Sequence, residues 1–167
     1  MRILGVDPGS QRTGYGIIEV QGQRHACVAH GIIKTGRGEF ADRICILFRE
    51  LSEVIAEFRP DEAAMEDVFM SKNAASALKL GQARGALIAA CGHAELSVHP
   101  YSPTAVKQSV VGFGRAEKDQ VQHMISLLLK PAAPLQEDAA DALAVAMCHA
   151  HHRNSPVVRR ATTGTNA

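Results

Sequence analysis

Apolar residues run almost unbroken from Ile3 to Val6, stop at Asp7, and give way to Pro8-Gly9-Ser10. A short apolar run bounded by turn residues reads as a buried strand, here over residues 1–7. Two further strands are predicted over 13–20 and 24–34, joined as a meander. Gly14 and Gly16 would weaken an ordinary strand, so they point to close approach by another part of the backbone. From about residue 40 the period changes. Ile44, Leu47, Phe48, Leu51, Val54, Ile55 and Phe58 recur at spacings of three and four, forming one stripe of a helix that Pro60 stops. Residues 61–66 read as a fourth strand and VFM as an apolar loop. A long helix is predicted over 73–93, and a fifth strand over 96–100, bounded by Pro100 and Pro103. Helices fit 103–110, 117–130 and 137–151, with Pro131 and Pro134 breaking the chain before the last. Residues 153–167 hold three Arg and no acid, and read as a flexible basic tail.

A meander followed by alternating helices and strands predicts an α/β fold with a mixed five-stranded sheet covered by helices. The 167 residues suit one domain, taken as 1–152, with no internal repeat. Trp is absent, so the core must be built from Ala, Val, Leu, Ile and Met. Cys27, Cys45, Cys91 and Cys148 show no CxxC spacing and follow no secretory signal, as expected of thiols in a reducing compartment. No apolar run approaches the roughly 20 residues that span a bilayer. The first strand starts at once, leaving no room for a targeting segment. A cytoplasmic protein without a membrane partner is expected.

Four carboxylates change the picture most. Asp7 ends the first strand and Glu66 the fourth. If those strands are parallel neighbours, both acids emerge at one sheet edge, where open sheets bind ligands. Asp138 and Asp141 are three apart and share a face of the last helix. Their place in its first turn also has a plain explanation in the helix dipole. Ala139, Ala140 and Ala142 leave little bulk beside them, so that helix could come close to the sheet. Asp67 and Glu62 are rivals to Glu66, one on the opposite strand face and the other about a turn too early. Converging like charges need a cation, and hard oxygen ligands suit Mg²⁺ or Mn²⁺. Two such ions roughly 3.5–4 Å apart would support in-line displacement at a phosphodiester. Removing four negative charges from the net +1 leaves +5 on the rest of the chain, which suits a polyanionic substrate as well as plain charge balance does.

GVDPGSQRTGYG, EDVFMSKNAASALKLGQARG, VKQSVVGFGRAEKDQVQHM and DAADALAVA, in that order, resemble the RuvC-type Holliday junction resolvases. The resemblance covers about residues 1–150. It implies a ribonuclease H-like fold with strand order 3-2-1-4-5, the second strand antiparallel. It also implies a homodimer that resolves four-way DNA junctions by two symmetric nicks, leaving 5′-phosphate and 3′-hydroxyl ends in recombination and repair. Asp7, Glu66, Asp138 and Asp141 would be the catalytic, metal-binding acids, holding two Mg²⁺ per subunit with Mn²⁺ as a substitute. Phe69 would probe unstacked bases, which is worth about 1–3 kcal/mol per stacked base. From the residues alone, a Phe tucked under its loop is the favoured reading. Lys107 and Lys118, with Arg115, would meet the DNA. Gly81 and Gly85 each cost about 1 kcal/mol in a helix interior. Close helix packing could compensate, and the family's dimer contact lies on this helix. RuvA and RuvB, the branch-migration proteins, are the implied partners.

His149, His151 and His152 cluster near the end of the last helix, where histidine suits the dipole and no second cluster completes a metal site. Two other readings stay open at this point. An ATP-dependent phosphotransferase of the actin and sugar-kinase type also starts with a strand and an Asp-x-Gly turn, and nucleotide binding would reveal it. A non-catalytic junction binder would show no cleavage at any Mg²⁺ concentration.

Overall fold

The computed structural model describes residues 1–67 and 73–154. In chain order the elements are β1 (Arg2–Asp7), β2 (Arg12–Gln21), β3 (Arg24–Lys34), α1 (Phe40–Phe58), β4 (Glu62–Glu66), α2 (Ala74–His93), β5 (Val98–Tyr101), α3 (Pro103–Val111), α4 (Lys118–Leu129) and α5 (Glu137–Asn154). The strands form one sheet in the order β3-β2-β1-β4-β5. β2 is antiparallel to β1 and to β3, whereas β4 lies parallel to β1 and to β5. This is the expected mixed sheet and the expected order.

Two differences are local. β5 runs through Pro100 to Tyr101 rather than stopping at the proline. It is an edge strand, Pro100 is exposed, and an edge position can lack the N–H that a central strand must supply. The last helix continues to Asn154, beyond the predicted end.

Strand alternation sorts the core into two layers. Leu4, Val6, Ile17, Ala63 and Met65 point to one face, where Leu47, Leu51, Val54 and Ile55 of α1 and Ala83, Leu87, Ala90 and Cys91 of α2 cover them. The apolar stripe read from the sequence is thus the buried side of α1. Ile3, Ile18 and Ala64 point to the other face, against α5, with α3 and α4 packed outside it. α5 is buried almost throughout, from Ala139 to Ala150.

Small residues on both sides let α5 lie directly on the sheet. A Cβ on Gly5 would overlap the backbone of Ala142 and Ala146, and one on Gly14 would overlap the carbonyl of Asp138. A Cβ on Gly16 would strike Leu143. The close approach expected from Gly14 and Gly16 is therefore that of α5. Since Gly14 pairs with Asp7 across the β1–β2 ladder, the contact also sets the first turn of α5 beside the end of β1.

Candidate active site

Val6 lies opposite Met65 in the parallel β1–β4 pair, so Asp7 and Glu66 follow as neighbours at the carboxyl ends of the strands. Both belong to the alternation that faces α5. Asp7, Glu66 and Asp141 line one cavity of about 290 Å³, together with Lys107 and Lys118. Pro103, Val106, Val121 and Ala144 make up its apolar wall.

Crowding these acids raises their proton affinity. Burial, then the charges of Glu66, Asp141 and Asp138, push the Asp7 carboxyl up to about 8, and it shares a hydrogen bond with Glu66. Burial and Asp141 likewise raise Glu66, against the opposing pull of Lys118 and Lys107. Burial raises Asp141 despite its contact with Lys118. A protonated Asp7 relieves some of the repulsion, and a bound cation would relieve more of it.

Two side chains already supply positive charge. Lys118 Nζ lies 2.6 Å from Glu137 Oε1 and 2.9 Å from Asp141 Oδ2. Lys118 opens α4, where the helix dipole disfavours a cation. Burial also works against its charge, but the two carboxylates outweigh this and hold the ammonium above its ordinary range. Arg12 Nε donates to Asp138 Oδ2 at 2.7 Å. Asp138 thus stands beside the cavity, engaged by arginine, rather than in its lining. Arg12 is carried by a tight turn in which buried Thr13 accepts from the Gly9 N–H and donates to the Gly9 carbonyl.

Among the rivals, Asp67 points to the other side of the sheet and accepts from Arg84 Nη2 at 2.7 Å. Arg84 Nε also donates to the Glu66 carbonyl, so α2 holds the end of β4 from behind. Glu62 sits at the far end of β4, away from Asp7. Lys107 is half-buried, whereas Arg115 is exposed on the loop before α4. Gly81 and Gly85 lie on the exposed face of α2, and nothing comes within 4 Å of a Cβ placed on either. Phe69 lies outside the described residues.

Arg12 and Arg84 escaped the sequence reading, because nothing in their spacing announces a partner 126 or 17 residues away. The position of Arg12 just after the Asp7 turn was the one usable hint.

The donor set is all oxygen, half-buried and richer in carboxylates than in cations, which fits a hard divalent cation. The family described as crossover junction endodeoxyribonuclease RuvC matches residues 3–149. A RuvC from Citrifermentans bemidjiense is 58% identical over 90% of this chain and 93% of its own length. One from a Shewanella species is 55% identical over 98% and 95%. Among solved structures, Thermus thermophilus RuvC in complex with a Holliday junction substrate superposes with a TM-score of 0.85. It is 33% identical and covers 91% of this chain and 94% of that one. With the sheet order and the length of the match in agreement, the chain belongs to the RuvC family of crossover junction endodeoxyribonucleases.

Proposed function

We propose that this protein resolves four-way DNA junctions, with Asp7, Glu66, Asp138 and Asp141 as its catalytic acids. The observation that carries the reading is the meeting of Asp7 and Glu66, from adjacent parallel strands, with Asp141 from α5 around one lysine-rimmed cavity. The matching family supports the substrate. The phosphotransferase reading has no comparable support.

Two Mg²⁺ ions, with Mn²⁺ as a substitute, would supply a nucleophilic hydroxide and stabilise the leaving oxygen. The chain's own residues do the rest. Asp7 and Glu66 give up their shared proton and orient their oxygens into the cavity. Asp141 and Asp138, now paired with Lys118 and Arg12, would help hold the ions. Lys118 and Arg12 are then free to meet phosphate oxygens, and Lys107 meets the DNA from the opposite wall. Phe69 contributes a stacking ring at the junction, and Arg115 an outer phosphate contact. The products carry 5′-phosphate and 3′-hydroxyl ends.

The exposed face of α2 supports a homodimer. Leu78, Gly81 and Gly85 share it, and Leu78 is 64% exposed. Two glycines that cost helix stability, with open space above them, suit close packing against a second copy. A two-fold dimer presents two sites to a two-fold junction. Residues 1–154, through the end of α5, act as the nuclease domain and the residues that follow as a tail. The enzyme works in the cytoplasm with RuvA and RuvB. Among the described residues no helix is long and apolar enough to cross a membrane.

The decisive experiment compares wild type with Asp7→Asn on a synthetic four-way junction in Mg²⁺. Cleavage should vanish in the variant while junction binding in a gel-shift assay persists. Equal cleavage by both would remove Asp7 from the mechanism, and no cleavage by wild type at any Mg²⁺ concentration would leave a pure binder.

A further inference from the structure

The face of the sheet that carries Asp7 and Glu66 has a second polar end. Glu62 opens β4, four residues before Glu66 and on the same side. His99 lies opposite Ala64 in the β4–β5 pair, also facing α5. α5 brings His149 to them, and His149 is only 4% exposed. Its Nε2 is 2.8 Å from Glu62 Oε2, and its Nδ1 is 2.8 Å from the Tyr101 hydroxyl. The His99 ring stacks on it with centroids 4.4 Å apart. One donor atom from each of Glu62, His99 and His149 lies within 4.8 Å of the other two.

A structural Glu–His hydrogen bond accounts for two of these donors, but not for the second imidazole. Among the described residues the His99 ring joins the pair by stacking and makes no side-chain hydrogen bond. Two imidazoles and one carboxylate are a ligand set suited to zinc, with water as the fourth ligand. This differs in kind from the all-oxygen set at the other end of the sheet, which suits hard cations. Tyr101 has the place of an outer partner, since a ligating imidazole fixes its orientation through the ring nitrogen that does not hold the ion. Arg153 Nη1 takes Glu62 Oε1 at 3.0 Å and leaves Oε2 to the ion.

We propose that Glu62, His99 and His149 form a second metal site, selective for a zinc-class ion, which clamps the end of α5 to the starts of β4 and β5. When the ion binds, His149 Nε2 gives up any hydrogen it shares with Glu62, and Nδ1–H donates to Tyr101. The site does not touch the cavity that holds Asp7. Its role is to secure the helix whose other end presents Asp138 and Asp141.

The test uses the full chain, stripped with EDTA and returned to excess Mg²⁺, titrated with Zn²⁺ by calorimetry and with Co²⁺ by visible absorption. One Zn²⁺ should bind per chain in the presence of Mg²⁺ and raise the melting temperature. Asp7→Asn should bind it equally well. His99→Ala, at a half-buried position that does not threaten the core, should lose at least tenfold in affinity. Tyr101→Phe should lose about 10–100-fold, as expected when an outer partner is removed. Glu62→Gln should lose binding while its melting temperature without zinc stays close to wild type. The site is overturned if no Zn²⁺ binds against Mg²⁺, if His99→Ala binds as tightly as wild type, or if Asp7→Asn abolishes binding. The last two outcomes would place the ion on His151 and His152 or in the acidic cavity. None of these results depends on whether the protein cleaves junctions.

Discussion

Asp7 is the residue on which the acidic site turns. In the unfolded chain its carboxyl titrates near its ordinary value of 3.8, and in the folded chain near 8. Between those values the metal-free folded protein keeps a proton that the unfolded chain has lost. Stability is then fully present below the unfolded value and declines as pH rises toward 8. Glu66 and Asp141 shift in the same direction and add to the slope. Urea unfolding in EDTA should therefore give a protein weaker at about pH 8 than at about pH 5, by on the order of a few kcal/mol. Asp7→Asn should remove the largest share of that slope, and a pH-independent wild type would contradict the buried acid cluster. The same proton gives a second readout. Mg²⁺ added near neutral pH should release protons from wild type, seen as a buffer-dependent heat, and fewer from Asp7→Asn. At this scale the candidate acids were legible from position alone, whereas their cationic partners were not. Arg12 finds Asp138, and Lys118 finds Asp141, only because α5 and α4 arrive where they do.

Among the elements, α5 and β2 depend on each other most visibly. Gly14 and Gly16 signalled a close neighbour, and alanines 139, 140 and 142 signalled a helix able to approach, but nothing local joined the two signals. The fold joins them: the Asp138 carbonyl fills the space where a Gly14 side chain would stand. Gly14→Ala should push the first turn of α5 off the sheet and cost about 1–3 kcal/mol as overpacking. Cleavage should fall by more than the stability loss explains, because Asp138 and Asp141 move with the turn. Unfolding curves and junction cleavage measured on one preparation would check this, and wild-type values for both would show that α5 yields freely. The element boundaries were largely readable, since β1, β2, α1, α3 and α4 each end within two residues of a proline or glycine. β5 was one exception, besides the end of α5: Pro100 reads as a strand end, and only its edge position makes it a strand interior.

For the whole molecule the exposed face of α2 points to a second copy. Leu78 exposes 64% of its surface on the same face of α2 as Gly81 and Gly85. If this face pairs two subunits, Leu78→Asp should convert a dimer into a monomer in light scattering. Paired nicking should then give way to single, uncoupled nicks, with each chain still folded. A dimer that persists in the variant would place the interface elsewhere. Chain length, a single sheet, the order of strands and helices and the family motifs were all written in one dimension. They rest on local periodicity and on residue types whose chemistry is intrinsic. What only the tertiary structure decided is which charges meet. It set Glu66 rather than Asp67 beside Asp7, drew Arg12 to Asp138, and gathered Glu62, His99 and His149 from three elements. The physical reason is that strand alternation and close helix packing fix contacts between residues tens of positions apart, and no local pattern carries those distances.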